Sequence, residues 1–317
     1  MIGAFEVGLI YGVMALGVYL TFRVLNFADL TVDGSFTTGA ATAAMAIMAG
    51  WNPVLATLAG FVTGFIAGII TGLLHTKGKI DGLLAGILTM IALWSINLRI
   101  MDGANVPLLR QETLFTPLRD AGLLGTWAGP GILTVAVALL GLLVVWFLNT
   151  DLGLSLRSTG DNGPMVQSFG VSTDFTKTFT IALSNGLVGM CGALVGQYQG
   201  FADISMGIGL ILVGLASVIL GQAILGQRRV WMAVIAVIIG AILYRLIIFA
   251  ALRVGLDPND MKAITALLVV VALLLPRWKG MSSRFKRSPS VPAAAIAAPD
   301  TAGADGVTEP LPAGKES

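Results

Sequence analysis

The residues able to do chemistry in this chain are few, and their types favour holding a polar solute over transforming one. There is one histidine, His75, and one cysteine, Cys191. They cannot assemble a His/Cys metal cluster, an intrachain disulfide or a Ser–His nucleophile beside a second polar group. No G-x-x-x-x-G-K-[ST] nucleotide loop occurs. The expectation is no metal, no cofactor within this chain and no enzymatic centre. What remains is a set of polar residues among apolar ones. Asn26, Asp29, Thr31, Asp33, Ser35, Thr37 and Thr38 fall in one short stretch. They are too polar for lipid, so they must line a cavity or be buried in protein. Asn97, Asn185 and Gln197 stand in apolar runs, as solute contacts or as interhelical glue. Arg245, beside Tyr244, sits where a charge costs about 2.5 to 3.5 kcal/mol at a span centre. It faces an aqueous vestibule, pairs with an acid such as Asp203, or snorkels outward. The candidates for a solute path are Asn26, Asp29, Asp33, Asn97, Asn185 and Arg245.

The elements that must position these groups follow from composition. Of 317 residues, 56% are apolar and 11% charged, with a mean hydropathy of +0.88. A soluble domain carries about 25% charged residues. The pattern predicts an all-α integral membrane protein, and a net charge of +2 gives no reason to expect nucleic acid as a partner. Runs long enough to cross a bilayer lie near 3–22, 36–50, 52–75, 80–101, 129–149, 177–198, 207–226, 230–250 and 261–276, about nine transmembrane helices. The N-terminus lacks a basic n-region and reads as a retained first span. Basic residues then orient the chain. One side collects Arg23, Lys77, Lys79, Arg157, Lys177, Arg228, Arg229 and the cluster from Arg277 to Arg287. The other collects Arg110, Arg119, Arg253 and Lys262. This places the N-terminus outside and the C-terminus in the cytoplasm, in a multi-pass plasma or inner membrane protein. Residues 1–280 form the membrane domain. The Pro- and Ala-rich stretch 281–317 reads as a disordered cytoplasmic tail.

Two internal patterns refine the picture. Phe27-Ala28-Asp29-Leu30-Thr31 recurs as Phe201-Ala202-Asp203-Ile204-Ser205 at an offset of 174. The same offset superposes the first four spans on the last four and leaves 129–149 unpaired. The halves, about 3–101 and 177–276, thus form an inverted repeat, a common plan for transporters. Glycines at 60, 64, 68 and 72, and at 186, 189, 192 and 196, make small-residue stripes against which another helix must pack closely.

The longest predicted inside segment, 150–176, contains Leu156-Arg157-Ser158-Thr159-Gly160-Asp161-Asn162-Gly163-Pro164. Asn162 or Gly163 suits a helix cap, Pro164 a first turn and Gly170 a stop. A short helix near 164–169, between two loops, follows. Gly153 to Val171 resembles the cytoplasmic coupling loop of ABC-importer permeases, closest to the branched-chain amino-acid and ribose permease superfamily. Leu25 to Phe36 looks like a subgroup that pairs with receptors of the tryptophan-binding type.

That resemblance implies the rest. The chain would be the transmembrane permease subunit of an ATP-driven importer for a small polar solute, an amino acid or a related compound. A second permease copy would complete the pathway as a homodimer. ATP and Mg would belong to a separate ABC ATPase subunit, and an extracytoplasmic substrate-binding protein would deliver the solute. Arg157, Ser158, Gly160, Asp161, Asn162, Gly163, Pro164, Met165, Val166, Gln167, Ser168, Phe169 and Gly170 would couple to the ATPase. Met165-Val166-Gln167 departs from the Ala-rich, basic docking helix of relatives. The alternative is an ion-coupled secondary transporter using Asp29, Asp33 or Asp203.

Overall fold

The apolar runs become helices in a computed structural model that describes residues 1–123, 126–227, 229–255 and 263–270. Six helices are long and apolar enough to span a membrane. They are α1 (Ile2–Tyr19, continued by a π-helical turn Leu20–Val24), α3 (Pro53–Thr76), α4 (Gly82–Met101), α6 (Ala128–Leu148), α8 (Thr173–Gln199) and α10 (Val230–Arg253). α2 (Thr31–Met48) is more polar, and α9 (Leu210–Leu225) is shorter. α5 (Thr116–Asp120) and α7 (Asp151–Ser168) are not apolar spans, and residues 263–270 are helical. Part of the expected ninth span, 261–276, lies outside the described residues, as does Arg228. The chain divides into Met1–Arg277 and Trp278–Ser317. The second unit, which holds the expected tail, is outside the described residues.

Burial sorts the helices. The most apolar stretch of α1 is 83% buried, whereas that of α6 is 22% buried. α1, α2 and α8 therefore form the centre of the bundle. α4 and α6 turn side chains such as Leu88, Ile91, Leu139 and Leu142 outward, as a lipid-facing helix must.

Local signals start several helices as the sequence suggests. Asn52 accepts from the Val54 N–H at 2.9 Å with Pro53 in the first turn of α3. Asp81 accepts from the Leu83 N–H at 3.0 Å to open α4. The glycine stripes pack as expected. A Cβ on Gly39 or Gly64 would overlap the carbonyl of Gly189 or Asn185 respectively, so α2, α3 and α8 meet backbone to backbone.

Two boundaries differ from the expectation. The second span was read as 36–50, but α2 begins at Thr31. Hydropathy assumes lipid around a helix, and α2 is wrapped by α3, α4 and α8 instead. Its threonine hydroxyls find partners internally: Thr38 donates to the Gly34 carbonyl at 2.9 Å, and Thr31 pairs with Thr71 at 2.8 Å, while the buried Ser35 hydroxyl has no partner among the described residues. The short helix near 164–169 is the end of a longer one. α7 runs from Asp151 to Ser168, with a break at Asn162 (φ −153°, ψ 86°). The Thr150 side chain caps its start, and Gly153, Leu156 and Thr159 are buried, which gives the first half a packed face.

A strand pair closes the end of the bundle where α8 finishes. β1 (Asn105–Pro107) and β2 (Phe201–Asp203) run antiparallel, with Val106 opposite Ala202. Asp203 accepts from the N–H and the hydroxyl of Ser205, and the hydroxyl contact is chiefly what holds its carboxyl below the ordinary aspartate range. A depressed acid stabilises the folded state above the unfolded pKa, and that stabilisation fades as pH falls through the folded pKa.

Candidate functional site: a broken segment joined to a coupling helix

The polar stretch 25–35 is where α1 ends and α2 begins, and every polar side chain in it that was singled out has a defined place. The chain leaves the π-turn at Val24, passes Asn26 with a positive φ of 54°, and re-enters helix at Thr31. Asn can occupy that left-handed conformation at modest cost. The Asn26 amide donates to the Gly160 carbonyl at 3.2 Å. A Cβ on Gly160 would overlap the Val24 carbonyl. The break in α1–α2 therefore rests directly on α7.

Asp29 is buried. One carboxylate oxygen accepts from the Thr31 N–H at 2.9 Å, and the other from Asn185 Nδ2 at 2.6 Å. The same Asn185 amide donates to the Ile181 carbonyl, so α8 clamps the break through one side chain. Asp33 reaches further. Its two oxygens accept from the N–H groups of Gly209 (2.7 Å) and Ile211 (2.8 Å). An acid on α2 thus caps α9, whose own flank Gly207-Ile208-Gly209 offers no Ser, Thr, Asp or Asn. That missing cap was the sequence signal for this contact. Replacing Asp33 with Ala should lower stability by about 0.5 to 2 kcal/mol, the usual cost of losing an N-cap. Thermal unfolding of the purified protein measures it, and an unchanged midpoint would contradict the capping role.

Asn97 shares a cavity of about 400 Å³ with Asp33 and Thr37, walled by Met90, Trp94 and Ile208. Asn97 is 1% exposed, and its Oδ1 has no hydrogen-bond partner among the described residues. Trp94 and Ile208, which sequence reading did not single out, come from α4 and from the segment before α9. Arg245 lies apart. Its guanidinium stacks 3.9 Å over the Tyr11 ring, and Asp203 is engaged with Ser205 and Asn105 instead. In place of the pairing with Asp203, Arg245 makes a cation–π contact with the buried Tyr11 ring.

The second half of α7 is built as a separate knob. Asn162 Oδ1 accepts from the Met165 N–H at 3.2 Å and caps the turn that holds Gly163 and Pro164. Ser168 closes it on the Met165 carbonyl, and Gly170 follows in the left-handed region (φ 82°). Val166 is buried, whereas Met165 is 55% and Phe169 73% exposed, and Gln167 is exposed. Arg157 and Asp161 point with Arg23 and Arg229 into a separate polar cavity, while Ser158 lines a groove with Met165 and Phe169.

Comparison with known proteins bears on this arrangement. A family described as "Branched-chain amino acid transport system / permease component" matches residues 1–275. The chain belongs to this family. It is 39% identical over 266 residues to a tyrosine transport system permease protein of Clostridioides difficile (strain R20291), covering 84% of this chain and 87% of that protein. It is 28% identical to the ribose import permease protein RbsC of Bacillus subtilis (strain 168), covering 85% and 82%. An uncharacterized protein of Rickettsia prowazekii (strain Madrid E), RP368, is 33% identical over 86% of this chain and 96% of its own. No solved structure matches. The permease is thus a multi-pass protein of the plasma membrane, and the resemblance read from 153–171 is borne out at the level of the superfamily.

Proposed function

We propose that this chain is the permease subunit of an ATP-driven ABC importer for an amino acid, working as a dimer with separate ATPase subunits and an extracytoplasmic receptor. The observation that carries the reading is the second half of α7. A capped, two-turn helix that exposes Met165 and Phe169 beside a break in a membrane helix is a part shaped to be pushed. An exposed methionine and phenylalanine on a polar face are apolar anchors for a partner groove. Motion there is transmitted at two contacts, Asn26 to Gly160 and Gly160 against Val24, and from Asp29 to α8.

The inverted repeat, with nine spans and an outside N-terminus, is part of this proposal. Both copies of the repeated motif make the same turn, Asp29 to the Thr31 N–H and Asp203 to the Ser205 N–H. α8 is about 40 Å long at 1.5 Å per residue. It starts beside α7 and ends at β2. The first motif meets the middle of α8 through Asp29 and Asn185 and touches α7 through Asn26, whereas the second lies at the β2 end of α8; opposite orientations would account for that separation.

The solute would pass the cavity holding Asn97, whose unpartnered Oδ1 waits for a donor. An amino acid as cargo is supported by the tyrosine permease relative. Asn97→Ala should raise the KM for uptake about two- to tenfold, the worth of one neutral hydrogen bond at about 0.5 to 1.5 kcal/mol. Unfolding should be unaffected, and an unchanged KM would argue against this path. The ion-coupled alternative is disfavoured because Asp29 and Asp33 both hold structural hydrogen bonds.

The decisive experiment is reconstitution of the complex that copurifies with this chain, followed by uptake across a panel of amino acids. Uptake should require ATP, the ATPase subunit and the loaded receptor. Uptake by this chain alone, driven by a sodium or proton gradient, would overturn the proposal.

A further inference from the structure

A polar cavity of about 420 Å³ opens where α7 crosses the ends of α1 and α9 and the start of α10. Three guanidiniums line it: Arg23 after α1, Arg157 on α7 and Arg229 before α10. Arg23 Nε donates to an amide, Gln227 Oε1, at 2.7 Å. Among the described residues the ion pair within 4 Å is Lys77 to Asp174, so none of these three arginines has a carboxylate partner. Asp161 lines the same cavity four residues from Arg157 on α7, and such residues face the same way. Tyr19 and Ala233 are buried in its wall, so its inner end is bundle core rather than lipid.

Guanidiniums with no carboxylate partner among the described residues, beside the Asp161 carboxylate, make an amphoteric lining. The planar fork of arginine suits a carboxylate, and Asp161 suits an ammonium. We propose that this cavity is a cytoplasmic binding site for a free α-amino acid, which on binding ties α7 to α1 and α10 and slows the transport cycle. The proposal rests on the importer reading, which makes this the face where the imported amino acid accumulates. The site is separate from the Asn97 cavity, and it shares only Asp161 with the lining of the groove beside Met165 and Phe169. Because α7 and the end of α1, which meet at Gly160, form two of its walls, an occupant bridging Arg157 and Asp161 on α7 to Arg23 and Arg229 resists their separation. Product would thereby restrain the machine that delivers it.

The test uses the whole complex in proteoliposomes, with loaded receptor in the lumen and ATP in the bath, so that only ATPase subunits facing the bath work. L-tyrosine added to the bath should slow ATP hydrolysis. Tyramine, which lacks the carboxylate, and inorganic phosphate, which lacks the ammonium, should not. Arg229→Gln and Arg23→Gln lie outside the coupling residues and the solute cavity. Each should leave uninhibited hydrolysis unchanged and raise the half-inhibitory L-tyrosine concentration about tenfold, as expected on losing one charge-assisted contact. The site is refuted by equal inhibition of both variants and the parent, by equal inhibition with phosphate, or by no inhibition of a complex that still imports L-tyrosine. Absence of ATP-driven uptake for every amino acid sinks the importer reading itself.

Discussion

Removing residues 164–169 is expected to reduce uptake to background while ATP hydrolysis by the complex continues without stimulation by the loaded receptor. The deletion takes away the exposed Met165 and Phe169 at the end of α7, together with Val166, but leaves Asn162 and the packed first half. Gly160 still rests on Val24, and Leu156 stays buried, so the bundle has no reason to unfold. Hydrolysis and uptake measured on one preparation separate a lost connection from a lost fold. Retained uptake would rule out a lever in this helix. A milder companion is Phe169→Ala, which removes the most exposed aromatic of the segment. It should weaken ATPase binding by about 2 kcal/mol or more if Phe169 is an interface hot spot.

The second large effect is at the crossing of α2 and α8. Gly39→Val should leave little folded protein. Its Cβ would overlap the Gly189 carbonyl and Cα, which are backbone and cannot rotate aside. Gly189 is itself pressed against the Gly60 carbonyl, so α8 cannot retreat without disturbing α3. Overpacking typically costs about 1 to 3 kcal/mol, and a backbone collision held from two sides belongs at or beyond the top of that range. Size-exclusion chromatography of the solubilised protein shows the outcome directly. A monodisperse peak at normal yield would mean that the three helices are looser than drawn. Gly163→Ala is the control, since nothing stands within 4 Å of a Cβ there.

Much of this could be read from the sequence, for a physical reason. Apolar length and glycine spacing are properties of single helices, so the bundle and its tight crossings were legible. The polar stretch 26–38 announced that it could not face lipid, and its residues are buried or bonded as that requires. What single helices do not encode is the partner. Asp33 and Gly209 are far apart in the chain, and only the folded chain brings them together. Asp29 and Asn185 were singled out separately and turned out to bind each other. Arg245 looked costly because its neighbour in space, Tyr11, lies at the other end of the chain. The first half of α7 was missed because loop-like residues, Gly153 and Gly160 among them, masked a helix whose packing against α6 and α8 supplies what propensity does not.

The cap that Asp33 lends to α9 sets an order of assembly. α9 is synthesised long after α2, and it has no capping side chain of its own for the Gly209 and Ile211 N–H groups, which bond to Asp33. Until the earlier half is in place, that turn would expose unbonded amides inside the membrane, where each is costly. The second half is therefore a dependent partner that matures on a template made by the first. Expressed without residues 1–101, it should insert yet fail to complete α9. Supplying the first half as a separate polypeptide should restore it.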